Sequence, residues 1–192
     1  MAAAYTAFAD QEQIAAGALS DIVPAVKAAF DAGRPHLLVF DDHTGQPVEL
    51  DLRGTTRDVT ERLVQSPLAE GALAKPVARG RPKLGVTARE VTLLPAHWEW
   101  LSAQPGGASA ALRRLVETAR RSGKDRIREA EEAVHRVMLA LAGDLADFEE
   151  ATRALYARDF ARFERLSEFW PRDVGEYVRR LARRLAAMSA AD

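Results

Sequence analysis

The stretch "HLLVFDDHTGQPVELDL", residues 36–52, predicts β-structure in a chain whose C-terminal part has a helical pattern. Leu, Val and Phe dominate residues 36–41, and apolar and polar residues alternate over 47–52, as in half-buried strands. Thr44 and Gly45 are turn-forming residue types between the two runs. We therefore predict two strands joined by a turn.

The preceding and following residues complete a small N-terminal domain. Residues 4–16 begin with the alternation of a short strand, and residues 19–30 carry apolar side chains at helical spacing. Thr56 is a candidate N-cap for a short helix that follows the strands. We predict that residues 1–66 form a small α+β domain.

The remaining chain divides into three segments. Residues 67–88 are rich in Pro and Gly without sustained periodicity and are predicted to be a linker or arm. Residues 89–122 predict a strand ended by Pro95 and two helices, the second capped by Ser109. Residues 123–192 predict a helical C-terminal domain. The expected fold class is α+β, with a small sheet domain, a central strand-helix-helix segment and a C-terminal helical bundle.

Composition limits the possible functions of the 192-residue chain. It has no cysteine, which removes disulfides and thiolate sites and fits a reducing compartment, so we expect a cytoplasmic protein. No apolar run approaches the roughly 20 residues that cross a bilayer, so no membrane partner is expected. The histidines are far apart and show no metal-binding spacing, so neither a metal site nor a cofactor is predicted. They are His36, His43, His97 and His135.

Charge is balanced overall but unevenly distributed. The chain has 27 basic and 28 acidic residues, so only local clusters can indicate a partner. One basic cluster runs from residue 75 to residue 89, before the first acid at Glu90. Its members are Lys75, Arg79, Arg81, Lys83 and Arg89.

The basic cluster contains "RGRP", residues 79–82, which resembles the core of an AT-hook. The resemblance implies that Arg79 and Arg81 lie along a narrow A·T-rich minor groove, where the negative potential is strongest. In this motif Gly80 permits close approach, and Pro82 keeps the chain out of a helix. The alternative is a solvated basic linker.

The next segment, "REVTLLP", "AHWEWLSAQ", "GAS" and "AALRRLVETARR", resembles ribbon-helix-helix DNA-binding proteins. The resemblance implies an obligate homodimer whose paired strands enter the major groove. Gly107, Ala108 and Ser109 would then offer backbone N–H groups to a DNA phosphate. The residues expected in the shared core are Trp98, Leu101, Leu112, Leu115 and Val116. Those expected outside it, near the DNA backbone, are Arg113, Arg114, Arg120 and Arg121.

The strand itself does not favour base-specific contacts. In neither register does it present a row of long polar side chains, so phosphate and minor-groove contacts with low sequence specificity are expected. In the alternative arrangement, residues 89–94 join the N-terminal sheet and the two helices merely pack. Sequence alone leaves both arrangements open.

Blocks along nearly the whole chain resemble one bacterial family. They are "LLVFDDHTGQPVELDLRGT", "RGRPKLGVTAREVTLLPAHWEWLSAQPGGASAALRRLVETARR" and "AGDLADFEEATRALYARDFARFERLSEFWPRDV". These blocks are similar to a family classified as a domain of unknown function, DUF 2239. The resemblance implies that all segments belong to one architecture.

An enzyme is not expected, because the chain has no phosphate-binding Gly-rich loop, no nucleophile elbow and no cysteine. Asp41, Asp42 and His43 could perform acid–base chemistry, but a solvated turn is the favoured interpretation. A C-terminal arginine cluster could form a second basic surface or, as we favour, pair with nearby acids. The arginines are Arg179, Arg180, Arg183 and Arg184, and the acids are Glu164, Glu168 and Glu176.

We therefore predict a dimeric DNA-binding protein of regulatory or architectural type. The predicted DNA-contacting residues are Lys75, Arg79, Gly80, Arg81, Pro82, Lys83, Arg89, Gly107, Ser109 and Arg113. The alternative is a protein-interaction module, antitoxin-like or scaffold-like, that binds a partner protein through the C-terminal helices and does not bind DNA.

Overall fold

The computed structural model describes residues 4–66, 89–121 and 123–190, without side chains for residues 120–124. Within these ranges the chain forms three strands and eight helices. The strands are β1 (Tyr5–Ala9), β2 (Glu12–Gly17) and β3 (Leu37–Asp41). The helices are α1 (Leu19–Asp31), α2 (Thr56–Gln65), α3 (Pro95–Ser102), α4 (Gly107–Arg121), α5 (Gly123–Ala142), α6 (Phe148–Tyr156), α7 (Phe160–Leu166) and α8 (Arg172–Ala190).

The described residues fall into two compact units. The sheet unit takes its residues from 1–74 and 127–192, and the α3–α4 unit takes its residues from 75–126. The mixed α+β class predicted from sequence is confirmed, and most of the described structure is helical.

The three strands form an antiparallel sheet in the order β2-β1-β3. The single strand predicted within residues 4–16 is a hairpin instead, because Asp10 adopts a φ of 54° and reverses the chain between β1 and β2. The strand predicted over 47–52 is also wrong. Only Pro47 bridges to Phe40, and proline has no N–H with which to continue a ladder.

Each face of the sheet packs against a different set of helices, because successive strand residues point to opposite faces. Tyr5, Ala7 and Val39 pack against the apolar side of α1. Phe8 and Phe40 enter the core formed by the C-terminal helices. The N-terminal sheet and the C-terminal helices therefore share one hydrophobic core.

The apolar stripe predicted for α5 is confirmed as core. Its buried members are Ile127, Val134, Val137, Met138 and Leu141. The turn after β3 lies against the same helix, since a Cβ placed on Gly45 would stand 2.3 Å from the carbonyl oxygen of Ala133. Gly45 also has a φ of +64°, so both backbone conformation and space require glycine there.

Helix α8 contacts the sheet within the sheet unit. At its first turn, the Asp173 carboxylate accepts the backbone N–H of Gln13 on β2 at 2.9 Å. This contact gives a hydrogen-bond acceptor to a backbone N–H on the edge strand β2, which matters because unpaired N–H groups on an edge strand can pair with a strand of another chain.

The α3–α4 unit differs in two respects from the sequence prediction. Residues 89–94 form no strand, because no strand among the described residues pairs with them. Helix α4 begins at Gly107 rather than at a Ser109 cap, and Gly106 and Gly107, with φ of 85° and 73°, make the turn that leads into it. Helix α3 begins at Pro95, a residue that favours the first helical position.

Candidate functional site

The predicted DNA-contacting residues divide into two groups. Lys75, Arg79, Gly80, Arg81, Pro82 and Lys83 lie outside the described residues. Of the remaining four, Arg89, Ser109 and Arg113 are exposed and Gly107 is half-buried. The side chains of Arg89, Ser109 and Arg113 are therefore accessible to a partner, and no contact within the described residues brings them together as a site.

One backbone group predicted to bind phosphate is already used. The N–H of Gly107 donates to the carbonyl oxygen of Gln104 at 2.9 Å, which corrects its assignment as a free donor. The N–H groups of Ala108 and Ser109 fall in the first turn of α4, where intrahelical acceptors are absent. Arg114, which was expected outside the core, is exposed, and its Nη1 donates to the carbonyl oxygen of Pro105 at 2.9 Å in the turn before α4.

The α3–α4 unit exposes many large apolar side chains. Among the residues predicted for a shared dimer core, Leu101 is buried and Leu112 is half-buried. Trp98, Leu115 and Val116 are 39%, 48% and 54% exposed, and Val91, Leu94 and Trp100 are exposed as well. We refer to these six exposed residues as the α3–α4 apolar residues. Large exposed apolar side chains of this kind are candidates for contact with a partner.

The buried carboxylate of Asp42, just after β3, accepts hydrogen bonds from three other residues. Its Oδ1 accepts the Oγ1–H of Thr6 at 2.7 Å and the hydroxyl of Tyr177 at 2.9 Å. Its Oδ2 accepts Nη2–H of Arg180 at 3.2 Å. We call these four residues the Asp42 network.

The backbone of Asp42 is held as firmly as its side chain. Its N–H donates to the carbonyl oxygen of Ala4 at 2.9 Å, and its carbonyl oxygen accepts Nη1–H of Arg184 at 3.1 Å. Arg180 Nη2 also donates to Thr6 Oγ1 at 3.0 Å. Two arginines of α8 therefore hold the end of β3.

The network fixes the protonation of Tyr177. Burial is the main effect that raises the pKa of Tyr177 above its usual value, and the nearby Asp42 charge raises it further. The hydroxyl therefore stays protonated at physiological pH and remains a hydrogen-bond donor to Asp42. The Asp42 network therefore joins β1, β3 and α8 through hydrogen bonds and one ion pair.

The comparison with protein families covers both units. A family model described as an uncharacterized protein conserved in bacteria (DUF2239) matches residues 4–182. The chain belongs to the DUF2239 family. No curated protein and no solved structure gives a significant match to it.

Sequence reasoning missed the Asp42 network in this DUF2239 protein. The solvated-turn interpretation fits Asp41, whose Oδ1 accepts the N–H groups of His43 and Thr44, but it is wrong for Asp42, which is 8% exposed. The sequence feature that could have indicated a buried acid was the arginine cluster of α8. Arg183 does pair with Glu164 at 2.8 Å, as expected, whereas Arg180 pairs with Asp42.

The described parts of the chain show no group of three or more His, Asp or Glu side chains that could hold a metal ion. In the same residues, no helix combines the length and apolar character that a membrane span requires.

We predict that Asp42→Ala destabilises the protein by about 2–3 kcal/mol, because it leaves the buried Tyr177 hydroxyl without its acceptor and the half-exposed Arg180 without its charge partner. The measurement is urea denaturation followed by circular dichroism. Glu61→Ala is the matched control, since Glu61 is an acid exposed to solvent and paired with Arg57 at 2.8 Å. We expect the control to cost less than about 1 kcal/mol. Equal losses in the two variants would contradict a central role for Asp42.

Proposed function

We propose that the protein is a dimeric, cytoplasmic DNA-binding protein of regulatory or architectural type. The observation that carries the proposal is the position of the basic segment, residues 75–89, immediately before a helical segment that exposes the α3–α4 apolar residues. The basic arm would bind the DNA, and the exposed apolar residues that follow it in the sequence would hold two copies of the chain together, so that two arms bind one duplex symmetrically.

The arm contributes affinity through phosphate charge and through the minor groove. Arg79 and Arg81, on either side of Gly80, have the spacing found in AT-hook cores. Narrow A·T-rich minor grooves concentrate negative potential and attract arginine. The expected binding is therefore salt-sensitive, of low sequence specificity and stronger for A·T-rich duplexes.

Dimerisation follows from the apolar surface and from residues 89–94. Trp98, Leu115 and Val116 are exposed in the single chain, and burying them against a second copy would stabilise a dimer. In a ribbon-helix-helix arrangement, residues 89–94 of two chains would pair with each other. That pairing would give these residues the partner strand they lack in the single chain.

The second candidate function is a protein-interaction module without DNA binding. The α3–α4 apolar residues also favour this function, since a partner protein could cover them as well as a second copy could. An apolar protein interface depends weakly on salt, whereas arginine–phosphate binding weakens steeply with it. Salt dependence therefore separates the two functions.

We predict that Arg79→Ala combined with Arg81→Ala weakens binding to an A·T-rich duplex about tenfold or more. Losing two phosphate-neutralising charges should also reduce the slope of log affinity against log salt by about 2. Fluorescence anisotropy with A·T-rich and G·C-rich duplexes at several salt concentrations measures both quantities.

The control for the arm removes two other arginines, through Arg57→Ala with Arg153→Ala. Both side chains are exposed and ion-paired on helices α2 and α6, so this variant changes net charge equally without touching the arm. We expect its affinity to stay close to that of the unmodified protein. An arm variant that binds as tightly as the control would contradict the role given to residues 79–82.

We predict that Leu115→Glu converts the dimer to a monomer, because it would bury an unpaired charge at the shared surface. Light scattering after size exclusion should give twice the 21.0 kDa chain mass for the unmodified protein and a single chain for the variant. Leu139→Glu is the control, since Leu139 is also an exposed leucine and lies on α5 in the sheet unit. A monomeric unmodified protein, or a dimeric Leu115→Glu variant, would refute the proposed dimer.

A further inference from the structure

A hollow of about 500 Å³ lies between β2 and α8 in the sheet unit. Its wall is formed by Gln13, Glu176, Tyr177, Arg179, Arg180 and Arg183. The hollow has the size of a small-ligand site, and three of its six lining residues are arginines. We refer to it as the arginine hollow.

The three arginines lie on one side of α8, because residues three and four positions apart are neighbours on a helix surface. Arg179 and Arg183 are four residues apart, which places their Cβ atoms about 6 Å from each other. Arg180 lies beside them, three residues before Arg183. Three arginines on one side of a helix could contact a ligand that carries more than one anionic group.

Each of these arginines is held in place by a protein acceptor. Nη2 of Arg180 donates to Asp42 and Thr6, Nε of Arg183 donates to Glu164 at 2.8 Å, and Nη1 of Arg179 donates to the carbonyl oxygen of Ser167. A guanidinium has five N–H donors, and these contacts use only part of them. The remaining N–H groups of each guanidinium can donate to a ligand, and the position of the side chain is already fixed before the ligand binds.

The wall holds three cationic side chains, of which Arg180 and Arg183 are paired with Asp42 and Glu164, while the acceptor of Arg179 is a neutral carbonyl oxygen. Glu176 is the one acid among the six lining residues, and its Oε1 accepts Nε–H of Arg172 at 3.1 Å. A neighbouring hollow on the other side of Arg179 and Arg183 contains two acids, Glu164 and Glu168, and is less suited to an anion. The arginine hollow is therefore the better anion site of the two.

We propose that the arginine hollow binds a phosphate-bearing ligand with adjacent anionic groups, such as a diphosphate. Arginine is the side chain best suited to this chemistry, because its planar fork gives two parallel, charge-assisted hydrogen bonds to a phosphate. The lining offers no open aromatic face, since Tyr177 is 2% exposed. Recognition therefore acts on the phosphate groups and not on an attached base or ring.

The phosphate could belong to a small molecule or to a DNA backbone, and the two sources share this chemistry. The inference does not rest on the proposed DNA binding, because it uses only side chains of the sheet unit. A small-molecule source would make the sheet unit a sensor, and a DNA source would add a second phosphate contact to the proposed grip.

The test is titration calorimetry of the full chain with inorganic pyrophosphate at constant ionic strength. We expect binding to the unmodified protein and about tenfold or more weaker binding to Arg183→Gln, which removes charge-assisted hydrogen bonds from the hollow. Arg183 is 66% exposed, so this variant is expected to fold, and thermal denaturation verifies that it does. Arg57→Gln is the matched control, because it removes an exposed, ion-paired arginine on α2 and should bind pyrophosphate normally.

Duplex binding by the same variants distinguishes the two sources. If the ligand is a small molecule, Arg183→Gln loses pyrophosphate binding and its affinity for the duplex is unchanged. If the proposed function fails, the unmodified protein and Arg183→Gln both fail to bind the duplex, and only the loss of pyrophosphate binding is seen. If the ligand is the DNA backbone, Arg183→Gln loses both pyrophosphate binding and duplex affinity, and pyrophosphate competes with the duplex for the unmodified protein. Absence of pyrophosphate binding to the unmodified protein, or equal binding to Arg183→Gln, would overturn the proposal whatever the arm variant shows.

Discussion

The sheet unit depends on one constraint: the buried carboxylate of Asp42 must keep its partners. A buried charge without a counter-charge and hydrogen bonds is strongly destabilising. Asp42 finds these partners only where β1 supplies Thr6 and α8 supplies Tyr177 and Arg180. The position of α8 against the sheet is therefore fixed by a polar requirement as well as by apolar packing.

The apolar core and the arginine hollow both adjoin this network. The ring of Tyr177 packs against Phe8 and Phe40, with centroids 5.3 and 6.2 Å apart, while its hydroxyl reaches Asp42. Arg180 lies over the same ring at 5.0 Å and also lines the hollow. One set of contacts thus joins the sheet to α8 and holds an arginine of the proposed anion site.

Sequence alone predicted the features that depend on local periodicity and failed where distant residues decide. The helical spacing of α1 and the apolar stripe of α5 are visible in short windows, and both were predicted. Asp42 was assigned to solvent because its partners Thr6 and Tyr177 lie 36 and 135 residues away. The strand expected at 89–94 has strand-like residues, yet strand formation requires a partner strand that local sequence does not reveal.

Native-state hydrogen exchange of β1 and α8 amides tests most directly whether the Asp42 network makes the sheet and the C-terminal helix one cooperative unit. We expect the slowest amides of the two elements to exchange with the same opening free energy, equal to that of global unfolding. Exchange of β1 through a lower-energy opening, with α8 still protected, would show that the sheet opens independently and that the Asp42 network does not couple it to α8.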